Sequence, residues 1–337
     1  MKIKLYMCGG ERPVSQYPLG LGYLAAYSKG AKITIVQDRN KLNNCDLIGL
    51  YTNDHGMKEA YEILNSTDIP VCVGGQGTQW PKIDNIGFDY VVKGEGELPF
   101  QSLIDGRFNP LAGQIDNIDD LPYPIRGKCG KSIPIISARG CPYDCHFCSS
   151  SVFWKKVRFH SSDYFIDEVE FIRRTEPQAK EIYILDDLFV FNKKRLREIH
   201  EMWMFRDYNR RFSLRGFIRS SNFDKEIAIM MKEMGFSSVR FGAESGSDRM
   251  LKLLNKRTTV ANHQRVVDIC NSINLTVGAS FMFKLPGETE EDRKLTRAFI
   301  HRNKGKMKIM GHYTFKPFTG TKFYDGRDLI KADMRVR

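Results

Sequence analysis

The 337-residue sequence contains no stretch approaching the roughly 20 apolar residues that a membrane span needs. Its N-terminus, MKIKLYMCGG, starts basic, but the apolar run is too short for a secretion signal. Both absences lead us to expect a cytoplasmic protein with no membrane partner. Low-complexity and collagenous segments are missing, and no internal repeat shows beyond an alternation of strand and helix signals. With 42% hydrophobic residues, 22 Phe and 14 Tyr, the composition excludes a disordered chain. The eight cysteines (Cys8, Cys45, Cys72, Cys129, Cys141, Cys145, Cys148 and Cys270) lack the spread of a disulfide framework. In a reducing compartment the tight group at 141–148 argues for metal or redox chemistry instead.

What is present divides in two, as the length suggests. The first 130 residues carry 13 Lys and Arg against 15 Asp and Glu, whereas the remainder carries 39 against 25. The positive field therefore belongs to the second half, and it attracts anions without choosing among nucleic acid, phosphorylated metabolites and carboxylates.

In the first half, short Ile- and Val-rich runs at 2–7, 32–37, 45–52, 70–75 and 89–93 read as buried parallel strands. Helical segments at about 19–29, 56–64 and 97–104 lie between them. This pattern predicts an α/β, doubly wound, Rossmann-like domain over 1–106, with ligands outside the carboxyl ends of its strands. Those ends carry Cys8-Gly9-Gly10, Tyr51-Thr52-Asn53, Gly74-Gly75-Gln76-Gly77 and Gly94-Glu95-Gly96-Glu97. Glycine there either lets a bulky ligand approach the backbone or merely turns the chain. Residues 107–131, rich in Pro, Gly and Asp, read as a linker. From 132 to 318, strand signals near 133–137, 181–186, 213–219, 238–243, 275–283 and 311–317 alternate with helices, which predicts a partial (β/α)6 TIM-type barrel. A short C-terminal extension, 319–337, follows. Chemistry in such a barrel sits on loops at the carboxyl ends of the strands.

Cys141, Cys145 and Cys148 form C-x3-C-x2-C directly after the first of these strands. Three thiolates are one ligand short of a tetrahedral zinc site, and only His146 lies inside the motif, poorly spaced beside Cys145. A four-iron cluster held by three cysteines leaves one iron open to a small molecule. Inert thiols are the third reading.

With this motif the chain resembles the radical S-adenosylmethionine (SAM) enzymes, in particular the branch with an N-terminal cobalamin-binding-like domain. The resemblance implies a [4Fe-4S] cluster on Cys141, Cys145 and Cys148 whose open iron chelates SAM, and cleavage of SAM to a 5'-deoxyadenosyl radical. It places Phe147 near the adenine, Asp186 of Leu185-Asp186-Asp187-Leu188-Phe189 near the methionyl group, and Arg219 after the third strand. Glu244, in Gly242-Ala243-Glu244-Ser245-Gly246-Ser247, is implied at the ribose, where a carboxylate makes charge-assisted bonds. Arg257, in Leu254-Asn255-Lys256-Arg257-Thr258, is the basic residue implied for the SAM carboxylate. Phe283-Lys284-Leu285-Pro286-Gly287-Glu288-Thr289 is similar to the family's G-L-P-G-E-T turn, with Lys284 replacing glycine. Each element also has a purely structural reading as an ion pair, a helix cap or a turn.

The resemblance further implies cobalamin along Leu19, Gly20, Thr52, Gly74, Gly75, Thr78, Gly94 and Glu95. The D-x-H-x-x-G motif of a lower-ligand histidine is absent, and His55 in the compressed Asp54-His55-Gly56 reads as a loop or helix-start residue. A cobalamin-dependent C-methyltransferase is the leading expectation. The alternatives are a cobalamin-independent radical SAM enzyme (rearrangement, oxidation or sulfur insertion) and a nucleic-acid-binding protein with a structural cluster. A small molecule, a peptide or RNA all remain as substrates, with His312, Tyr313 and Lys316 as pocket candidates on the last strand. A reducing partner such as flavodoxin or ferredoxin is implied.

Overall fold

The computed structural model describes residues 1–9, 17–127 and 129–331. Gly10 of the first glycine-bearing strand end, Lys128 of the expected linker and 332–337 of the expected extension lie outside the described residues. The chain divides into two compact units. Unit 1 comprises 1–129, 152–154 and 318–337, and unit 2 comprises 130–151 and 155–317.

Unit 1 contains β1 (Lys2–Met7), α1 (Leu19–Tyr27), β2 (Lys32–Val36), β3 (Leu47–Tyr51), α2 (Met57–Leu64), β4 (Val71–Gly74), β5 (Tyr90–Val91) and α3 (Glu97–Ile104). The strands form one parallel sheet in the order β2-β1-β3-β4-β5, so its switch point lies between β1 and β3. One face buries Ile3, Leu5, Leu47 and Cys72 with Leu21, Ala25 and Phe100 from α1 and α3. The other buries Ile48, Leu50, Val71 and Val73 with Met57, Ala60 and Ile63 from α2.

Between β2 and β3 the chain makes only a 3-10 turn, Arg39–Lys41, so no α-helix from that connection covers the second face. The C-terminal segment supplies the missing apolar cover. Leu329 is fully buried in this core, with Tyr324 and Ile330 packed against it. At its start, the backbone N–H and hydroxyl of Thr319 donate to the buried Asp54 carboxylate at 2.7 and 2.6 Å. Residues 318–331 are therefore part of unit 1 rather than a separate extension. The expected linker likewise belongs to unit 1 through Cys129, anchored by buried Ile118 and Leu121.

Unit 2 contains β6 (Ser132–Ile135) and β7 (Ala138–Arg139), then α4 (Ser150–Phe153, whose last residues fall in unit 1), β8 (Arg158–Phe159), α5 (Ser162–Thr175) and β9 (Glu181–Ile184). It continues with α6 (Lys193–Phe205), α7 (Tyr208–Arg211), β10 (Ser213–Phe217), α8 (Lys225–Glu233) and β11 (Phe236–Glu244). The last elements are α9 (Asp248–Leu253), α10 (Val260–Ser272), β12 (Val277–Phe283), α11 (Glu290–Arg302) and β13 (Lys308–Thr314). Six strands pair in parallel in the order β6-β9-β10-β11-β12-β13, and β7 and β8 form a small antiparallel pair. Side-chain caps fix where the helices begin. Ser161, Asn192, Asp224, Ser247 and Thr259 each accept from a backbone N–H of the first turn, and Thr289 with Asp292 closes a capping box on α11.

Gly75 does not open its backbone to a ligand as expected. Its φ is +100°, and a Cβ there would lie 2.5 Å from the Thr52 carbonyl oxygen and 2.7 Å from the Tyr51 ring. Gly94 also has positive φ, at +90°, but an added Cβ would meet nothing within 4 Å. Gly75→Ala should therefore lose on the order of 1–3 kcal/mol in urea unfolding, and more than Gly94→Ala. Equal losses would show that the contact with Tyr51 and Thr52 carries no weight.

Candidate functional site

The three cysteines of the C-x3-C-x2-C motif lie on an irregular loop after β7, turned tightly where the Cys148 N–H donates to the Cys145 carbonyl at 3.0 Å. Contacts from three directions hold this loop. From β9, the Asp186 carboxylate accepts the Ser137 and Ala138 N–H groups at 2.6 and 3.1 Å. From the end of β10, the Asn222 side chain accepts the Tyr143 hydroxyl at 2.9 Å, and the Arg219 guanidinium lies 3.5 Å over the Tyr143 ring. From the end of α9, the Leu254 carbonyl accepts the His146 N–H at 3.0 Å, and Asn255 donates to the Asp144 carbonyl at 3.2 Å.

The same contacts locate residues that the sequence singled out. Asp186 is buried, and its carboxylate accepts from the segment leading into the cysteine loop. Burial pushes its carboxyl up to about 6, against the lowering effect of its hydrogen bonds. Arg257, at φ +48°, turns outward and pairs with Asp144 at 2.8 Å, both more than half exposed. Its neighbour Lys256 is the buried base: its ammonium pairs with Glu244 at 2.8 Å and lies 5.3 Å from the Phe147 ring centre. His146 is not offered as a ligand through Nδ1, which donates to the Leu253 carbonyl at 2.9 Å.

Glu244 closes β11 in a left-handed conformation, φ +63°, just after a register shift against β12. Its carboxylate and the Lys256 ammonium lie over the Gly242 α-carbon, where any side chain would collide with them. Behind them sits a residue that no sequence motif marked. His263 of α10 is completely buried, its Nε2 3.1 Å from the Ala243 carbonyl and its Nδ1 2.9 Å from the Ser220 hydroxyl. A carbonyl can only accept, so Nε2 carries the proton, Nδ1 accepts from Ser220, and the Thr258 hydroxyl donates to Ser220 at 2.9 Å. A lone histidine in a helical pattern gives no sign of this network. Of the last-strand candidates, His312 turns to the helix side with its ring 5.7 Å from Phe283, while Tyr313 pairs in register with Met282.

The donor set fits an iron-sulfur cluster. Three thiols on one loop suit a cuboidal cluster, which takes each cysteine on a different iron. Burial pushes the Cys141 thiol up and the Cys148 thiol up to about 11, so iron must displace their protons. Arg219 offsets part of this beside Cys141, and its Nη1 lies 3.8 Å from Cys145 Sγ. Its Nη2 is buried with no partner, a spare donor facing a site that would hold anionic sulfur and a carboxylate.

In unit 1, the implied cobalamin residues separate into two groups. Leu19, Thr52, Thr78 and Glu95 are buried, and the Thr52 and Thr78 hydroxyls donate internally, Thr78 to the Gly75 and Val92 carbonyls at 2.8 and 3.0 Å. Gly20 and Gly94 face open space, and Gly74 meets only Val92. Gly74 ends β4, Gly94 follows β5, and Gly20 lies in the first turn of α1. The His55 ring packs edge-on against Phe318 at 5.6 Å, and the Asn53 side chain caps the turn by accepting the His55 and Gly56 N–H groups. His55 is thus a helix-start residue.

Burial pushes His263 down to about 3, with the Lys256 charge adding to the effect. The folded state keeps it neutral while the unfolded chain protonates near 6.5. Its contribution is therefore complete above pH 6.5 and lost as the pH falls from there toward 3, by up to about 1.4 kcal/mol per pH unit. His263→Gln keeps a donor for the Ala243 carbonyl but cannot take the proton. The stability gap between wild type and this variant in urea should shrink from pH 7 to pH 5. A gap independent of pH would refute the neutral assignment.

The radical SAM superfamily profile matches residues 135–300. An uncharacterized methyltransferase of Pyrococcus horikoshii is 29% identical, over 85% of this chain and 73% of that protein. The radical SAM methyltransferase TsrM from Kitasatospora setae, solved with cobalamin and a [4Fe-4S] cluster, shares the fold at TM-score 0.72 and 17% identity, over 95% of this chain and 76% of TsrM. The cobalamin-dependent SAM radical enzyme OxsB aligns at TM-score 0.70 and 17% identity, over 91% of this chain and 53% of OxsB. No helix among the described residues is long and apolar enough to cross a membrane. With its cysteine loop at the head of a six-stranded partial barrel and its matched segment running from the end of β6 into α11, the chain carries a radical SAM domain.

Proposed function

We propose that this protein is a cobalamin-dependent radical SAM C-methyltransferase. The observation that carries the reading is the presence, on one chain, of the cysteine-loop barrel and a β2-β1-β3-β4-β5 sheet with Gly74 and Gly94 at its carboxyl edge. The likeness in fold to TsrM and OxsB, and the methyltransferase name of the Pyrococcus relative, support it.

When bound, the cluster supplies the electron that cleaves SAM, and cobalamin supplies the methyl group. The chain's own residues bind and orient. Cys141, Cys145 and Cys148 hold the iron. Phe147 offers a ring to the adenine. Glu244, one carboxylate oxygen already committed to Lys256, accepts from the ribose hydroxyls. Lys256 and Arg219 present their positive charges to the carboxylate of SAM. His263 holds the carbonyl before Glu244, and Asp186 holds the entrance of the cysteine loop. All eight cysteines are free, as suits a cytoplasmic enzyme. A small electron carrier of the flavodoxin or ferredoxin kind completes the system.

Replacing Cys141, Cys145 and Cys148 together by Ala should abolish 5'-deoxyadenosine formation from SAM after iron and sulfide reconstitution, whereas Cys270→Ala, on the buried face of α10, should not. Persistent 5'-deoxyadenosine from the triple variant would remove the central assignment.

Cobalamin is tested separately. Reconstitution with hydroxocobalamin followed by gel filtration should give co-elution with the wild type, little with Gly20→Leu, and undiminished co-elution with His55→Ala. Gly20 is the suitable position because an added side chain there meets nothing within 4 Å. If the cluster-loaded wild type retains no cobalamin, the methyltransferase reading yields to the cobalamin-independent one.

A further inference from the structure

The concave face of the unit 2 sheet carries a cation without a counter-charge. On β11, Val239 and Phe241 are buried, and Phe241 packs 5.4 Å from His263 of α10, so these positions face the helices. Ser238, Arg240 and Gly242 point to the other face, where the Glu244–Lys256 pair lies over Gly242. Register sets Arg240 beside Phe217 of β10 and Gly278 of β12. The Met310 side chain fills the space that a side chain at Gly278 would take.

The arginine nearest the amino ends of the strands has a counter-charge, though its Nε is also buried without a partner. Arg215 pairs with Glu181 at 3.0 Å and lies 3.9 Å over the Tyr183 ring. Arg219, at the carboxyl ends, faces the cysteine loop. The Arg240 side chain, between them, makes no hydrogen bond or ion pair with any described residue, and its Nε is buried. A buried guanidinium donor is among the groups that folded proteins rarely leave unsatisfied.

We propose that Arg240 seats an oxyanion of the substrate, a carboxylate or a phosphate, with Phe217 and Met310 flanking the apolar part of the same molecule. This deepens the preceding reading and rests on it, since the substrate's reacting carbon must lie toward the Glu244–Lys256 end. Arg240 precedes Glu244 by four residues, about 13 Å along a strand. That span suits an anionic metabolite held at one end and attacked at the other.

The test uses phenylglyoxal, which modifies arginine, with peptide mass spectrometry reading each site. In the full-length protein Arg240 should label, and inorganic phosphate or succinate should slow its labelling about tenfold near saturation, equivalent to about 1.4 kcal/mol. Arg249, already paired with Asp292 at the surface, should not respond to either anion. Protection by phosphate alone assigns a phosphate, and protection by succinate alone assigns a carboxylate. Arg240 labelling that ignores both anions, or no labelling at all, overturns the proposal. Arg240→Gln should keep the SAM affinity of the cluster-loaded protein. A parallel loss of SAM affinity would place Arg240 in the SAM site and likewise overturn it. Because the protection is also read on cluster-free protein, its failure is distinguishable from failure of the radical SAM reading, which the triple cysteine variant reports.

Discussion

A loop that must present three thiols within eight residues has no regular hydrogen bonding of its own, so the barrel around it has to supply its shape. This requirement explains why polar side chains near the site are spent on backbone. Asp186 gives its carboxylate to two N–H groups at the entrance of the loop, Asn222 and Arg219 hold Tyr143, and the end of α9 holds Asp144 and His146. A hydrogen bond to a charged group contributes about 1.5–3 kcal/mol, enough for each tether to matter when the thiols are not yet bound to iron. The ligands are thus positioned by strands β9 and β10 and helix α9, which are distant in sequence but adjacent at the carboxyl ends of the sheet.

The same economy governs Glu244. A non-glycine residue at φ +63° persists only where its surroundings over-determine it. Three features do so here: the register shift between β11 and β12, the ion pair to Lys256, and the His263 hydrogen bond to the preceding carbonyl. Gly242 is part of this arrangement because its missing side chain is the space the ion pair occupies. Strain and buried charge therefore concentrate at one corner of the barrel, next to the thiols.

Much of the fold was legible because its periodicities are strong. Helix 97–104 matches the structure residue for residue, and the six barrel strands fall within a few residues of their expected places. The cysteine spacing carried the cluster assignment for a similar reason, since it encodes chemistry locally. Other features depend on backbone geometry that a single sequence does not display. Lys256 and Arg257 are adjacent and both basic; left-handed turns at Asn255 and Arg257 send the first inward and the second to Asp144. Nothing in an aperiodic segment such as 318–331 announces that Leu329 completes a core assembled from residues 6–88. Gly75 and Gly94 look alike in sequence, yet one is filled by its neighbours and the other is open.

The excess of positive charge in the second half takes on a different meaning once its members are located. Arg173 and Arg174 pair with Glu170, Arg197 and Lys193 with Glu226, and Arg293 and Arg297 with Glu290, all on helices at the outer surface. Exposed pairs of this kind contribute little stability and are screened by salt, but they neutralise the helices that a polyanion would meet first. Arg219, Lys256 and Arg240 sit instead at the carboxyl ends and on the concave face of the sheet, where lower dielectric makes each charge act more strongly. The basic composition and the SAM site are thus two aspects of one design, in which the cations that matter are those the helices do not neutralise.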